Sequence, residues 1–306
     1  MPSSTNNMTM KVFSILSITA SLLLFAGCSP KGEDVHEVVA KFIVAMEPDK
    51  DPDAMLADRT ALQDYLSGSL ERPVEAIVPM SSAVIYEGLK NGSIDVAYLS
   101  ATAAAKLVAT DTVDILLAEL IDGQPNYQSY WITLKEAPYR DVSELRGQPI
   151  AFSSRTSTSG FIIPVWDLFK QGLIDVETGP AGFFGEGNVN YGVGYVSAAE
   201  RVLDGSVEAA AVSYYVLDKD KHLSAEQRQR MRILDTQGPV PSHVLVVRQS
   251  IAPADREKLK AAFLAMNQDA TELRDRIFGA QLAPADAETH LEVTREALDV
   301  TANMPF

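Results

Sequence analysis

The sequence predicts an α/β protein of two lobes with a ligand cleft between them. Strand-like and helix-like segments alternate along the chain with short connections, which is typical of a parallel sheet covered by helices. A chain that leaves one lobe and later returns to it must cross between the lobes twice. The composition of two stretches, 131–138 and 234–241, suits such crossings. The length of 306 residues suits about two domains. Small ligands usually bind in the cleft that two such lobes form.

Composition and charge exclude some classes of protein. Hydrophobic residues make up 46% of the chain and charged residues 22%, close to the average for soluble globular proteins. The 26 basic and 41 acidic residues give a formal net charge of −15. Because such a surface repels phosphate backbones, we expect no nucleic-acid partner. Any bound anion must therefore be held by local groups.

Residues 1–27 have the pattern of an export signal. Lys11 precedes an uncharged apolar run at 12–26, which is shorter than the roughly 20 residues of a membrane-spanning helix. The segment LFAGC, ending at Cys28, resembles a bacterial lipobox, and this resemblance implies a lipid anchor on that cysteine. An ordinary signal peptide with an incidental cysteine is the alternative. Cys28 is the single cysteine, so no intramolecular disulfide forms, and the polar stretch 28–37 is typical of a tether.

The first lobe is assigned to residues 38–131 and 238–306, and its elements follow from hydrophobic periodicity. A helix at 53–70 places apolar residues such as Leu62 and Leu66 on one side. Short apolar runs bounded by turn residues indicate strands. The predicted strands of this lobe are 42–46, 74–78, 94–99, 112–120 and 244–247. The other predicted helices are 82–89, 101–109 and most of the tail from residue 253 onward.

The second lobe is assigned to residues 132–237 and follows the same alternation. Its predicted strands are 127–134, which begins in the first lobe, 149–152 and 207–214. Its predicted helices are 161–171 and 198–203. The glycines between 182 and 194 do not form a dinucleotide-binding fingerprint after a strand, and they favour a flexible loop.

The strongest local signal is the stretch SSRTSTSG at 153–160, between a predicted strand and a predicted helix. The first N–H groups of a helix lack intrahelical partners and carry a partial positive charge, so they can hold a small anion. Hydroxyls at Ser157, Thr158 and Ser159 add donors, and Gly160 allows close approach of the backbone. A plain helix cap would account for one hydroxyl, so a cap and an anion site are both open at this point.

The order of several segments resembles the type II periplasmic-binding proteins that serve ABC importers of phosphonate, phosphite and phosphate. The matching pieces are spread over nearly all of the chain after the export signal. They are 83–89, NGSIDVAY at 91–98, DG at 122–123, YQS at 127–129, LRG at 145–147, STSG at 157–160 with Pro164, VLDGSVE at 202–208 and PVP at 239–241.

This resemblance implies a two-lobed type II clamp and a role for particular residues. In such proteins the Ser-Thr-Ser loop grips the phosphorus oxygens and a tyrosine adds a phenolic donor, which assigns these roles to Ser157, Thr158, Ser159 and Tyr127. The implied function is a substrate-binding lipoprotein that captures phosphite, phosphate or a simple phosphonate and delivers it to ABC permease subunits. We expect a monomer at the extracytoplasmic face of a membrane, with no cofactor, no metal and no enzymatic activity.

Other positions depart from the family pattern. The family often has Tyr, His and a ligand-pairing Glu where this chain has Ser82, Tyr195 and Tyr215. Without that carboxylate a buried ammonium would be unpaired, which disfavours an aminoalkyl phosphonate. The hydroxyls of these three residues are then expected to face the ligand. His243, at the second crossing, is a further candidate, and Arg155 is either an oxyanion clamp or a solvated loop residue.

The residues leave three alternative functions open. A sensory lipoprotein would bind the same ligand and report to a receptor. Adjacent tyrosines at 214 and 215 occur in some ferric-binding proteins, although neighbouring strand residues point to opposite faces. An enzyme with a serine nucleophile at Ser157 or Ser159 lacks a G-x-S-x-G elbow and an evident histidine partner. The remaining histidines do not have the spacing of a zinc site; they are His36, His222 and His290.

Overall fold

Two β-sheets organise the computed structural model, which describes residues 37–46, 52–219 and 223–306. The predicted export signal and Cys28 lie outside the described residues, as does the tether except for residue 37. The strands are β1 (Phe42–Ala45), β2 (Val74–Ile77), β3 (Val96–Leu99), β4 (Val113–Leu120), β5 (Asn126–Leu134), β6 (Ile150–Phe152), β7 (Val189–Tyr191), β8 (Ala209–Ser213), β9 (Met231–Pro241), β10 (Val244–Arg248) and β11 (Gln281–Pro284).

The helices lie between and after these strands. They are α1 (Pro52–Leu70), α2 (Ser82–Asn91), α3 (Ala101–Val108), α4 (Ile163–Lys170), α5 (Gly179–Phe184), α6 (Tyr195–Leu203), α7 (Tyr215–Asp218), α8 (Ala225–Gln229), α9 (Pro253–Asp269), α10 (Thr271–Phe278), α11 (Ala287–His290) and α12 (Glu292–Thr301). Within the described ranges, no helix combines the length and the apolar character that crossing a bilayer requires.

The first sheet has six strands in the order β11-β4-β10-β3-β1-β2, and we call the part of the chain built on it the first lobe. β1 pairs in parallel with β2 and β3, whereas β10 and β11 run antiparallel to their neighbours. The predicted strand–helix alternation is therefore confirmed. Buried apolar residues lie on both faces of this sheet, beneath α1 and α9 on one face and beneath α2 and α3 on the other.

The second sheet has five strands in the order β7-β6-β8-β5-β9, and it defines the second lobe. β6 pairs in parallel with β7 and β8, and β5 pairs antiparallel with β8 and β9. Trp131 on β5 is fully buried, with its ring centroid 5.4 Å from Phe152 and 5.8 Å from Phe184. These aromatic contacts form the centre of the core beneath the helices of this lobe.

The first crossing precedes the predicted stretch 131–138, and the second directly follows the predicted stretch 234–241. The chain passes from the first sheet to the second at 121–125, between β4 and β5, and returns at 242–243, between β9 and β10. The predicted lobe bounds at 131/132 and 237/238 thus fall inside β5 and β9. The reason is that β5 and β9 pair along almost their whole length, so the Gly-Pro-Val-Pro stretch stays in the ladder.

Ser242 joins the two crossings to each other. Its N–H donates to the carbonyl of Pro125 at 3.1 Å, and its hydroxyl donates to the carbonyl of Glu119 at 2.6 Å. The imidazole Nε2 of His290 donates to the carbonyl of Ser242 at 3.0 Å. The two connecting strands are therefore held side by side by bonds from one buried residue.

The glycine-rich stretch 182–194 is not a loop throughout, contrary to the prediction. It contains the end of α5 and the edge strand β7. The side-chain amide of Asn190 donates to the carbonyl of Ile150 on the adjacent strand, and that of Asn188 donates to the carbonyls of Gly147 and Phe184. These tertiary contacts order a segment whose local sequence favours turns. The tail is mostly helical as predicted, with β11 as an added strand.

Candidate functional site

The loop after β6 places the predicted Ser-Thr-Ser motif at the start of a helix. A π-helical turn, Thr158–Ile162, leads directly into α4. Ser157 caps this turn, because its Oγ accepts a hydrogen bond from the N–H of Gly160 at 3.0 Å. A Cβ at Gly160 would lie only 2.3 Å from the Oγ of buried Ser153. The loop therefore requires glycine at this position for packing.

The phenol of Tyr195 bridges two hydroxyls of the motif. Tyr195 is the first residue of α6, and its hydroxyl accepts from Ser157 Oγ at 3.1 Å and lies 2.9 Å from Ser159 Oγ. Ser159 is fully buried, whereas Tyr195 is half-buried. Three predicted site residues thus meet in one hydrogen-bonded group.

Tyr127, near the start of β5, approaches the same group. Its phenol lies beside the hydroxyls of Ser159 and Ser213, and its side chain is 6% exposed. Burial raises the pKa of Tyr127 well above its usual value, and the neighbouring Tyr195 phenol and the Glu119 carboxylate raise it further. Tyr127 is therefore a neutral donor throughout the physiological pH range.

Thr158, the middle residue of the motif, faces the first lobe. Its Oγ1 accepts from the backbone N–H of Thr102 at 3.1 Å and lies 2.8 Å from Thr102 Oγ1. Thr102 is in the first turn of α3, and both threonines are almost completely buried. The motif therefore lies where the two lobes meet. Because Thr102 stands in the alanine-rich stretch ATAAAKLV, its pattern indicates only helix packing.

The backbone of Ser159 is fixed by a buried side chain. The Oγ of Ser129 on β5 donates to the carbonyl of Ser159 and also lies 3.1 Å from the Oε1 of Gln237 on β9. Ser129, Ser159 and Gln237 are all buried. These buried bonds hold the backbone from which the hydroxyls of the motif project. Selective binding of a small anion needs such preorganisation.

We call Ser157, Thr158, Ser159, Tyr127, Tyr195 and Thr102 the hydroxyl cluster. All six side chains are neutral hydroxyl groups, and they lie at the leading end of the helix that begins with the π-helical turn. Such an arrangement binds an oxyanion through oriented O–H and N–H donors and the helix dipole, without a counter-charge.

Two further tyrosine rings continue the cluster on one side. The Tyr215 ring meets the Tyr195 ring edge to face at 5.6 Å, and the Tyr214 ring lies 5.3 Å from Tyr215 and 5.4 Å from Tyr127. Because β8 ends at Ser213 and Tyr215 begins α7, a bend brings both adjacent rings to this end of the strand, in contrast to the predicted opposite faces. Burial raises the pKa of Tyr214 to about 12. Among the described residues no group of three His, Cys, Asp or Glu side chains is arranged to hold a metal ion.

Other predicted residues lie outside these contacts. Ser82 is exposed in the first turn of α2, which follows the edge strand β2. The His243 ring stacks on Tyr98 at 5.2 Å, at the second crossing. The guanidinium of Arg155 lies 4.3 Å from the centroid of the Tyr191 ring, and it borders a separate surface cavity of about 770 Å³ whose lining contains none of the cluster residues. Arg155 therefore stacks on an aromatic ring instead of clamping the motif.

A buried carboxylate lies near the cluster. Glu119, at the end of β4, accepts from the Tyr98 phenol at 3.0 Å, and its carboxylate lies 3.9 Å from Nδ1 of His243. Burial raises the pKa of Glu119, while His243 and Tyr98 oppose this shift. Sequence reasoning missed Glu119, because an isolated acidic residue in an apolar strand carries no positional signal.

Comparison with known proteins gives a family and a set of similar folds. A model of the family described as "ABC transporter, phosphonate, periplasmic substrate-binding protein" matches residues 44–289. The structure of XAC2383 from Xanthomonas citri bound to chloride ion is similar, with a TM-score of 0.75 and 22% identity over 87% of this chain and 100% of that one.

Two further structures share the fold at lower identity. PhnD1 from Prochlorococcus marinus, in complex with methylphosphonate, has a TM-score of 0.71 and 15% identity, covering 87% of this chain and 99% of that one. A binding protein component of an ABC phosphonate transporter, PA3383 from Pseudomonas aeruginosa, has a TM-score of 0.68 and 16% identity, covering 86% of this chain and 87% of that one. The predicted two-lobed fold is confirmed by these similarities.

Proposed function

The chain belongs to the phosphonate-binding family of periplasmic substrate-binding proteins of ABC transporters, and from this premise we propose that its ligand is phosphite, phosphate or a simple alkylphosphonate. The protein captures this small phosphorus oxyanion in the cleft and delivers it to the permease subunits. It acts by binding and release, and the proposal includes no chemical step and no cofactor. Closure of the two lobes about the crossings retains the ligand.

The observation that carries this proposal is the hydroxyl cluster. Ser157 and Ser159 share the Tyr195 phenol, and each serine hydroxyl lies within hydrogen-bond distance of it at the start of a helix. A tetrahedral oxyanion accepts several hydrogen bonds from different directions, and this group supplies them from two helix starts, α6 and the π-helical turn. Tyr127 adds a donor that stays protonated.

The type of oxyanion follows from the groups around the cluster. Tyr215 offers a phenol where an amino group of a ligand would need a carboxylate, and its ring contacts that of Tyr195. The buried carboxylate of Glu119 is already bonded to the Tyr98 phenol and lies close to His243. These contacts favour ligands without an ammonium group. Ser82 and His243 remain in the proposal as further candidates for contact with the ligand.

Calorimetric titration of the protein with phosphite, phosphate, methylphosphonate and aminoethylphosphonate tests the proposal. We expect heat of binding with at least one of the first three and the weakest binding with aminoethylphosphonate. Ser157→Ala and Ser159→Ala should each weaken binding by about tenfold, since each removes a hydroxyl that donates to the charged ligand or orients the Tyr195 phenol that does. Ser154→Ala is the matched control, because that hydroxyl lies in the same loop and contacts Thr156 at 3.3 Å. Absence of binding to all four compounds would contradict the proposal.

The proposed location is the extracytoplasmic face of a membrane, with the mature chain attached as a monomer through a lipid on Cys28. This proposal is supported by the lipobox-like segment and by the family's periplasmic setting. Mass spectrometry of protein extracted from the cell envelope should show an acylated cysteine as the first residue. An unmodified N-terminus at or after residue 28 would refute lipid attachment while leaving the binding proposal intact.

A further inference from the structure

The contact between Thr102 and Thr158 joins the lobes at the centre of the hydroxyl cluster. Thr102 belongs to α3 in the first lobe, and Thr158 belongs to the π-helical turn in the second. The N–H of Thr102 donates to Thr158 Oγ1 at 3.1 Å, and the two hydroxyl oxygens lie 2.8 Å apart. From this geometry we infer that Thr102 is a ligand-positioning residue and that its bonds to Thr158 latch the two lobes together before a ligand arrives.

The first turn of α3 supplies the backbone donor of this contact. The first N–H groups of a helix have no partner within the helix. Ser100 caps α3 by accepting from the N–H of Ala103, and this leaves the N–H of Thr102 to be satisfied elsewhere. Its partner is a hydroxyl of the other lobe. Opening the lobes therefore removes a partner from a backbone donor that is buried in the described arrangement.

Counting hydrogens shows what the pair offers a ligand. Each hydroxyl has one proton, and Thr158 Oγ1 already accepts the N–H of Thr102. If Thr102 donates its hydroxyl proton to Thr158, the proton of Thr158 is left for the ligand. If Thr158 donates instead, the proton of Thr102 is left. In both cases one hydroxyl proton remains, and it is polarised and oriented by the second hydroxyl.

The pair therefore links lobe closure to ligand binding. The same oxygen of Thr158 that the resemblance assigns to ligand binding also holds the first lobe in place. Two hydrogen bonds of ordinary net strength bias an equilibrium by about tenfold or more. The ligand-free protein is thus expected to favour the closed arrangement, and the ligand meets a Thr158 hydroxyl already fixed in orientation.

Hydrogen exchange of the ligand-free, full-length protein tests the latch without reference to any ligand. The amide of Thr102 should be protected in the parent, and Thr158→Val should increase its exchange rate by about tenfold, because the acceptor is removed. Thr294→Val is the matched control, since the buried hydroxyl of Thr294 has no hydrogen-bond partner among the described residues. Equal exchange of the Thr102 amide in the parent and in Thr158→Val would overturn the latch.

Titration with methylphosphonate tests the positioning role, which rests on the proposed function. Thr102→Val should raise Kd by roughly three- to tenfold, Thr102→Ser should restore it to about the parent value, and Thr294→Val should leave it unchanged. A Kd for Thr102→Val equal to that of the parent would overturn positioning. If no phosphorus oxyanion binds the parent, the proposed function fails, and the exchange result still decides the latch. Thermal melts identify a misfolded variant, in which case Thr102→Ala replaces Thr102→Val.

Discussion

Removing one oxygen atom from Tyr195 is the most direct test of the cluster. The Tyr195→Phe variant keeps the ring and its edge-to-face contact with Tyr215 at 5.6 Å. It deletes the hydroxyl that accepts from Ser157 at 3.1 Å and lies 2.9 Å from Ser159. The change is therefore confined to the hydrogen bonds of the cluster.

The expected magnitude follows from those two hydrogen bonds. Each contributes about 1 kcal/mol net, with a range of about 0.5–1.5 kcal/mol. Together they amount to about 2 kcal/mol, and their loss should weaken binding by roughly thirtyfold in Kd. Because Ser159 is fully buried, its hydroxyl also loses a partner in the ligand-free protein, so a small decrease in the free energy of unfolding should accompany the change.

Isothermal titration with methylphosphonate or phosphite measures the effect, and thermal denaturation measures the stability. Tyr191→Phe is the control, because Tyr191 is a half-buried tyrosine of the same lobe whose ring contacts Arg155. It should bind like the parent. If Tyr195→Phe also binds within about twofold of the parent, the phenol does not organise the ligand site and the reasoning from the cluster is wrong.

Three further predictions concern stability. Gly160→Ala should lower the free energy of unfolding by about 1–3 kcal/mol, since the new Cβ would lie 2.3 Å from Ser153 Oγ, and thermal melts measure this. Burial raises the pKa of Glu119 above the ordinary carboxyl value of 4.5, so the folded protein holds this proton to higher pH than the unfolded chain does. The free energy of unfolding should therefore fall as pH rises above 4.5. Urea denaturation should show a smaller fall in the free energy of unfolding for Glu119→Gln than for the parent. Arg248→Met removes the guanidinium that pairs with the buried carboxylate of Asp95 at 2.7 Å, and the loss of this charged partner should cost about 3–5 kcal/mol in urea denaturation.

Matched variants separate these effects from general disturbance. Gly68→Ala adds a Cβ in open space within α1 and should not destabilise the protein. Arg276→Met removes an exposed ion pair with Asp58 and should change stability little. Equal losses in Gly160→Ala and Gly68→Ala, or in the two arginine variants, would contradict the stated causes. An unchanged pH dependence in Glu119→Gln would show that another group governs it.

Local patterns predicted most of the fold and the centre of the candidate site. Short apolar runs and helical periodicity located β1 to β6 and the helices around them, because the strands are covered by helices and the helices bury an apolar side against the sheets. Ser157, Thr158 and Ser159 were found because the motif, the helix start and the glycine are contiguous. Tyr127 and Tyr195 came from the family resemblance and lie in the same cluster.

Features that depend on contacts between distant residues were not predicted. Thr102 meets Thr158 across 56 positions of sequence, and its own helix gives no sign of this partner. The crossings were displaced because the register of β5 and β9 is set by pairing and not by composition. The edge strand β7 is ordered by asparagine side chains that bond to the neighbouring strand and turn, a contact that glycine-rich sequence conceals.

The bonds around Ser242 restrict how the protein can move. Hydrogen bonds from Ser242 to the carbonyls of Pro125 and Glu119 join the segment that leaves the first lobe to the segment that returns to it. Neither segment can slide past the other without breaking a buried hydrogen bond. A rotation of the lobes about the two crossings would leave these bonds intact. If the lobes close by such a rotation, the geometry at the crossings would help to set the size of the ligand that fits between them, together with the groups that touch it.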